Sequence, residues 1–174
     1  MAEPNRHPLS GLIRAIIDQE SDFRPDAISE DGAIGLMQVL PQYAGEYGYG
    51  VQSLFDMAEA EGFDVGSGSP ADAASLLRDP VLNERMGTEI FTTLLSRYDG
   101  NLQDALTAYN MGAPAYDEFL ASGGDRALLD DEAQNYYPGV MANYERMYGQ
   151  TLPETLPPQM RMMPMQRPLG LLAR

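Results

Sequence analysis

Leu9, Leu12, Ile13, Ile16 and Ile17 recur at helical spacing, and the next position on their stripe is Glu20. A carboxyl group thus falls where a core side chain is expected. Burial removes water from such a group and disfavours its charged form, so it keeps a proton near neutral pH, as a general acid must. The same spacing also allows a side chain that swings to solvent at the helix end, and periodicity does not choose between the two. Four more acids follow at Asp22, Asp26, Glu30 and Asp31. They read as solvated loop charges, the alternative being that one faces Glu20 and activates water. Cysteine is absent, which excludes a thiolate nucleophile, a thiolate zinc site and a disulfide framework. His7, the only histidine, precedes the helix and reads as a surface residue.

The helix that carries Glu20 is predicted to begin near Pro8, which suits a first turn, and to end around Asp22 or Phe23, because Pro25 disfavours a helical Arg24. Ser29 to Gly35 reads as a loop, since Gly32 and Gly35 can take conformations closed to other residues. A short helix over 36–47 is expected, with Pro41 in its first turns or breaking it. Residues from about 48 to 77 are rich in Gly, Ser, Ala and acids and read as an elaborated surface-loop insertion, with a short helix at 53–60 or a small hairpin as options within it. Asp79-Pro80 opens the longest amphipathic pattern, through Leu82, Met86, Ile90 and Leu94, which ends near Gly100. Asn101 caps a helix in which Leu102, Ala105, Leu106 and Tyr109 share a face until Gly112. Short helices over 114–122 and 137–148 follow, the last ending at Gly149. The pattern predicts a mainly α single domain over 1–149 and an extended or disordered Pro/Met-rich tail over 150–174.

A chain of 174 residues buries one substantial core. Apolar residues at 44% and charged ones at 21% are the proportions of a folded globular protein. A net charge of -15 repels phosphate backbones, so nucleic acid is not an expected partner. No stretch approaches the roughly 18 apolar residues of a membrane span, and the N-terminal residues lack the apolar core of a signal peptide. The tail carries three arginines against one glutamate, mildly basic beside an acidic body.

Four ordered blocks carry a resemblance. Glu20-Ser21 is followed by Phe23, Pro25, Ala27, Ser29, Gly32-Ala33-Ile34-Gly35-Leu36-Met37-Gln38 and Pro41; then come Asp79-Pro80-Val81-Leu82-Asn83, Ala108-Tyr109-Asn110, and Glu132 with Tyr136. Together they resemble the soluble lytic transglycosylase family over roughly residues 9–148. The resemblance implies a mostly helical, lysozyme-like fold of the goose-type lysozyme and lytic transglycosylase kind. It also implies cleavage of the bond between N-acetylmuramic acid and N-acetylglucosamine in peptidoglycan glycan strands, with no metal or cofactor.

By that resemblance Glu20 is the catalytic acid and then the base that closes a 1,6-anhydro ring. Ser21 is expected to bond to the carboxylate or to sugar, or else to cap the helix end. Met37 and Gln38 are expected to line the cleft, although Met37 without its motif reads as core. Tyr109 is expected near Glu20, and Asn110 to bond substrate or fix the turn. Glu132 and Tyr136 match a late motif from which Ala133 and Tyr137 depart, and Tyr43 departs where the family often has threonine. A lysozyme-like hydrolase, which usually needs two carboxylates about 5–9.5 Å apart, is the alternative chemistry. A docking protein that retains the fold is the alternative class. The substrate lies outside the cytoplasmic membrane, so delivery to the cell wall is expected as a virion component or through a secretion apparatus, with the tail docking on a protein partner.

Overall fold

In the computed structural model, described over residues 8–44 and 53–161, the Leu9 stripe forms α1 (Pro8–Ser21). Leu9, Leu12, Ile13, Ile16 and Ile17 are all buried. Two consecutive residues in the left-handed region, Asp22 (φ 52°) and Phe23 (φ 58°), then turn the chain out of the helix. The helix thus ends one residue before the predicted Asp22 or Phe23, and Glu20 stands in the last turn. His7 and residues 45–47 of the helix expected over 36–47 lie outside the described residues. Within them that helix is only α2 (Pro41–Ala44), because residues 34–39 fold back on themselves through reciprocal backbone bonds between Ile34 and Val39, both 3.0 Å.

The expectation of a surface loop over about 48–77 is corrected. Its described part forms α3 (Leu54–Ala60) and α4 (Pro70–Leu76), and Leu54, Met57, Ala58, Ala73, Leu76 and Leu77 join the core. α3 falls where a short helix at 53–60 was an option, whereas α4, seven residues long and under two turns, displays no readable period. Their caps are legible afterwards: Ser53 opens α3, and Ser69 with Asp72 forms a reciprocal capping box on α4. Four bonds from Ser67 and Ser69 hold the Asp72 carboxyl at about 2.

Asp79 caps α5 (Pro80–Arg97) and Asn101 caps α6 (Leu102–Met111), as predicted. The next helix, α7, spans Ala113–Ala121. A short 3-10 turn over Arg126–Leu128 leads to α8 (Asp131–Tyr148), capped by Asp130 and closed by Gly149 in the left-handed conformation. α8 begins six residues before the predicted start of 137, because Pro138 lies inside it rather than in its first turn. Proline removes one helical N–H donor there, a loss that the packing of Ala133, Tyr136, Val140 and Tyr144 offsets.

α8 packs on α1 and α6, and α6 on α5. The α1–α8 crossing is close because glycine is present on both sides: a Cβ at Gly11 would stand 2.8 Å from the Tyr144 ring, and one at Gly139 2.6 Å from Gln19 Oε1. No strand occurs among the described residues, only isolated bridges, and none of their helices is long and apolar enough to cross a membrane.

The beginning of the tail is part of the fold. Leu102 N–H donates to Glu154 O and Leu156 N–H to Gly100 O, both 2.9 Å. Leu156 is fully buried, and the Arg161 guanidinium donates to Leu156 O at 2.6 Å and to Asp99 O. Residues 150–161 therefore strap the α5–α6 corner, and the remaining tail, 162–174, lies outside the described residues. Leu156→Ala should lower stability by about 2–4 kcal/mol, read as a lower urea midpoint at unchanged m-value; an unchanged midpoint would show that the strap adds nothing.

Candidate active site

Three helices bring the predicted residues together. Glu20 comes from the end of α1, Tyr136 from α8, and Tyr109 from α6. The Tyr136 hydroxyl donates to Glu20 Oε1, and Tyr136 is itself buried. An open groove of about 330 Å³ lies over this pair, lined by Gln19, Glu20, Ser29, Gln38, Glu132, Asn135 and Tyr136.

Burial pushes the Glu20 carboxyl up from the ordinary 4.5 to about 7; the Tyr136 bond partly opposes this and the negative charge of Glu132 adds to it. Desolvation wins because one neutral donor returns only part of the hydration that a carboxylate loses. Burial and the neighbouring Glu20 charge hold both Tyr136 and Tyr109 far above the usual phenol range, so both stay protonated as donors. Tyr136 occupies Oε1, which leaves Oε2 to carry the proton that can be transferred.

The loop wall of the groove is built on Asn83. This asparagine is fully buried and joins three segments: its Oδ1 accepts from Met37 N–H at 2.9 Å, and its Nδ2 donates to Ile34 O at 2.7 Å and to Leu77 O at 3.0 Å. Gly35, with φ +77°, makes room for it, since a Cβ there would come 2.4 Å from Asn83 Nδ2. On the other side the Tyr109 hydroxyl donates to Met37 O at 2.9 Å. The Met37 backbone is thus gripped at both ends, and Gln38, held at φ 47°, projects next to it.

Of the eight residues singled out from sequence, Glu20, Gln38, Glu132 and Tyr136 line the groove. The other four are not on its lining. Met37 is a correction: its side chain is fully buried against Gly87, where a Cβ would come 2.6 Å from the sulfur, so no sugar face reaches the thioether. Ser21 is buried and its hydroxyl lies 2.9 Å from Leu36 O and 3.1 Å from Ile17 O as donor, which ties the helix end to the loop and fits the helix-end alternative rather than a bond to sugar. Tyr109 donates to the Met37 backbone and not to Glu20. Asn110 Nδ2 donates to Glu132 Oε1 at 2.8 Å and so positions that carboxylate.

Gln19, Ser29 and Asn135 line the groove without having been predicted to do so. Helical spacing offered a signal for one of them, since Asn135 lies three residues after Glu132 and so shares its face. Asp22, Asp26, Glu30 and Asp31 are all exposed and none lines the groove. Among the described lining residues the second carboxylate is Glu132.

The chain belongs to the transglycosylase SLT domain family, whose profile matches residues 1–127. It is similar to the membrane-bound lytic murein transglycosylase C of Actinobacillus succinogenes, 35% identical over 124 residues that cover 67% of this chain and 31% of that protein. The protein of the same name from Yersinia pestis is 37% identical over the same shares. The chain therefore spans about a third of the length of these relatives. Among solved structures it is similar to an inactive mutant of lytic transglycosylase Slt from Pseudomonas aeruginosa, with TM-score 0.60, 25% identity, and coverage of 84% of this chain and 23% of that one. The 70 kDa soluble lytic transglycosylase of Escherichia coli has the same fold, with TM-score 0.61 at 24% identity over 86% of this chain and 23% of that one. The fold is thus the lysozyme-like one expected. The family match stops before Glu132 and Tyr136, so their place in the site rests on geometry.

A carboxyl raised to about 7 in the folded chain binds more protons than its unfolded counterpart between roughly pH 4.5 and 7. Its contribution to stability is full below 4.5 and is lost as pH rises through 7. Glu20→Gln should accordingly match the wild type in Tm near pH 4 and exceed it at pH 8. A constant offset across that range would mean that the carboxyl is not desolvated.

Proposed function

We propose that this chain is a peptidoglycan lytic transglycosylase that cleaves the β-1,4 bond between N-acetylmuramic acid and N-acetylglucosamine and forms a 1,6-anhydro ring. The observation that carries this reading is the desolvated Glu20 carboxyl, bonded by Tyr136 at the floor of a groove that no loop carboxylate enters. The protonated carboxyl gives its proton to the glycosidic oxygen as the bond breaks, leaving an oxocarbenium-like centre at the muramic sugar. The resulting carboxylate, stabilised by the Tyr136 hydroxyl, takes the proton of the C6 hydroxyl while that oxygen attacks C1. A pKa of about 7 leaves the group able to perform both transfers near neutral pH.

The Pseudomonas aeruginosa relative described as inactive carries a glutamate-to-glutamine change, which supports the same substitution here. Glu20→Gln assayed on purified sacculi should lose at least about 10²–10⁴-fold in rate with folding intact, and the wild type should release anhydro-muropeptides by mass spectrometry. Undiminished activity in the variant would overturn the assignment. Activity of the wild type should fall as pH rises through about 7. Tyr136→Phe should move that midpoint up, because the bond it removes lowers the Glu20 pKa, and Glu132→Gln should move it down.

Hydrolysis is the competing reading, and Glu132 favours it as a second carboxylate in the groove. It predicts reducing ends in place of anhydro sugars. For delivery, we propose that residues 162–174, Met- and Pro-rich and mildly basic beside an acidic body, dock on a protein partner in a virion or a secretion apparatus that brings the enzyme to the cell wall. Deleting 162–174 should abolish incorporation and spare catalysis, and continued incorporation would refute the docking role.

A further inference from the structure

The amides of the groove are each engaged at one end by the protein. Gln38 Nε2 donates to Gly35 O at 2.9 Å and to Ala27 O at 3.4 Å, and Asn135 Nδ2 donates to Asp131 O at 2.6 Å. Their carbonyl oxygens accept nothing from the described residues and are left for a ligand. Glu132 adds a carboxylate with one oxygen held by Asn110. The donors on the lining are all neutral: the Ser29 hydroxyl, whose oxygen accepts from Ala33 N–H, Gln19 Nε2, whose Oε1 accepts from Asn143 at 3.4 Å, and the second N–H of Asn135 Nδ2. No arginine lines the groove among the described residues, and Arg24, just past the end of α1, directs its Nε to Ser21 O at 3.0 Å. The chain as a whole carries -15.

We propose that Gln38, Asn135 and Glu132 form an acceptor wall that reads the nitrogen of the glucosamine units, and that the groove takes units with a free ammonium at least as well as N-acetylated ones. The proposal rests on the transglycosylase reading and concerns the glucosamine units, not the muramic sugar at which the bond is cleaved. An acetamido nitrogen offers one N–H, whereas an ammonium offers three donors and a positive charge. That charge meets a carboxylate and two carbonyl dipoles with no cation to compete, and the attraction weakens with salt over about 8–10 Å. The acetyl oxygen that is lost had Ser29, Gln19 and the second N–H of Asn135 as neutral donors on this lining, and the open groove lets water replace it there.

The test compares sacculi N-deacetylated at glucosamine with the same material re-acetylated, alongside binding of glucosamine and N-acetylglucosamine hexamers to the full chain. Deacetylated sacculi should show equal or higher kcat/KM at low salt, with the advantage shrinking as salt rises. Asn135→Arg should cut kcat/KM on deacetylated material about tenfold more than on acetylated material, because it sets like charges together. A preference for acetylated sacculi of about tenfold or more, or an Asn135→Arg loss equal on both, would overturn the proposal. If neither material is cleaved, the transglycosylase reading fails, while hexamer affinities still decide the acceptor wall: tighter binding of the glucosamine hexamer that Asn135→Arg abolishes supports it, and tighter binding of the acetylated hexamer refutes it.

Discussion

The carboxyl of Glu20 is carried out of the core by the last turn of α1 and meets the Tyr136 hydroxyl from α8 before it meets water. Everything the groove can do depends on that contact being both dry and polar. Dryness lifts the carboxyl to about 7 and lets it hold a proton. The single donor keeps the ionised form accessible, so that the group can return as a base. The close α1–α8 crossing, permitted by Gly11 and Gly139, sets the distance between them.

The groove has a second half that does not share these supports. Ser29 and Gln38 stand on the loop after α1, and that loop is held by Asn83 from α5, by Ser21 at the helix end and by Tyr109 from α6. Asn83 leaves no unmet partner on its amide although it is fully buried, which makes it a rigid joint. The acid half and the loop half are therefore positioned by different interactions, α8 serving the first and α5 the second.

The outline of this arrangement was legible in the sequence where patterns were long. The α1 stripe pointed to Glu20, and the caps Asp79, Asn101 and Gly149 marked real helix boundaries. Of the short elements, α3 was open as an option at 53–60 and α7 was expected, but α4 was not legible, because it completes fewer than two turns and contributes only scattered apolar residues. Pro138 concealed the true start of α8, since proline in a helix interior is tolerated only where packing offsets the missing bond. The prolines made the tail's lack of regular helix or sheet legible, but composition gave no sign that Leu156 fits a buried site and that two backbone bonds fix this segment. Among site residues, motif matching found Met37, Ser21, Tyr109 and Asn110 but could not tell a group that touches ligand from one that braces a neighbour. That distinction depends on where a side chain points, and only packing determines it.

The central claim is the protonation of one side chain, and it is measured most directly by titrating Glu20 with carbon-13 NMR of its side-chain carboxyl, assigned by the loss of the signal in Glu20→Gln. A midpoint of about 7 is predicted. A midpoint near 4.5, the ordinary value, would mean that the carboxyl is hydrated, and the account of its chemistry would be wrong.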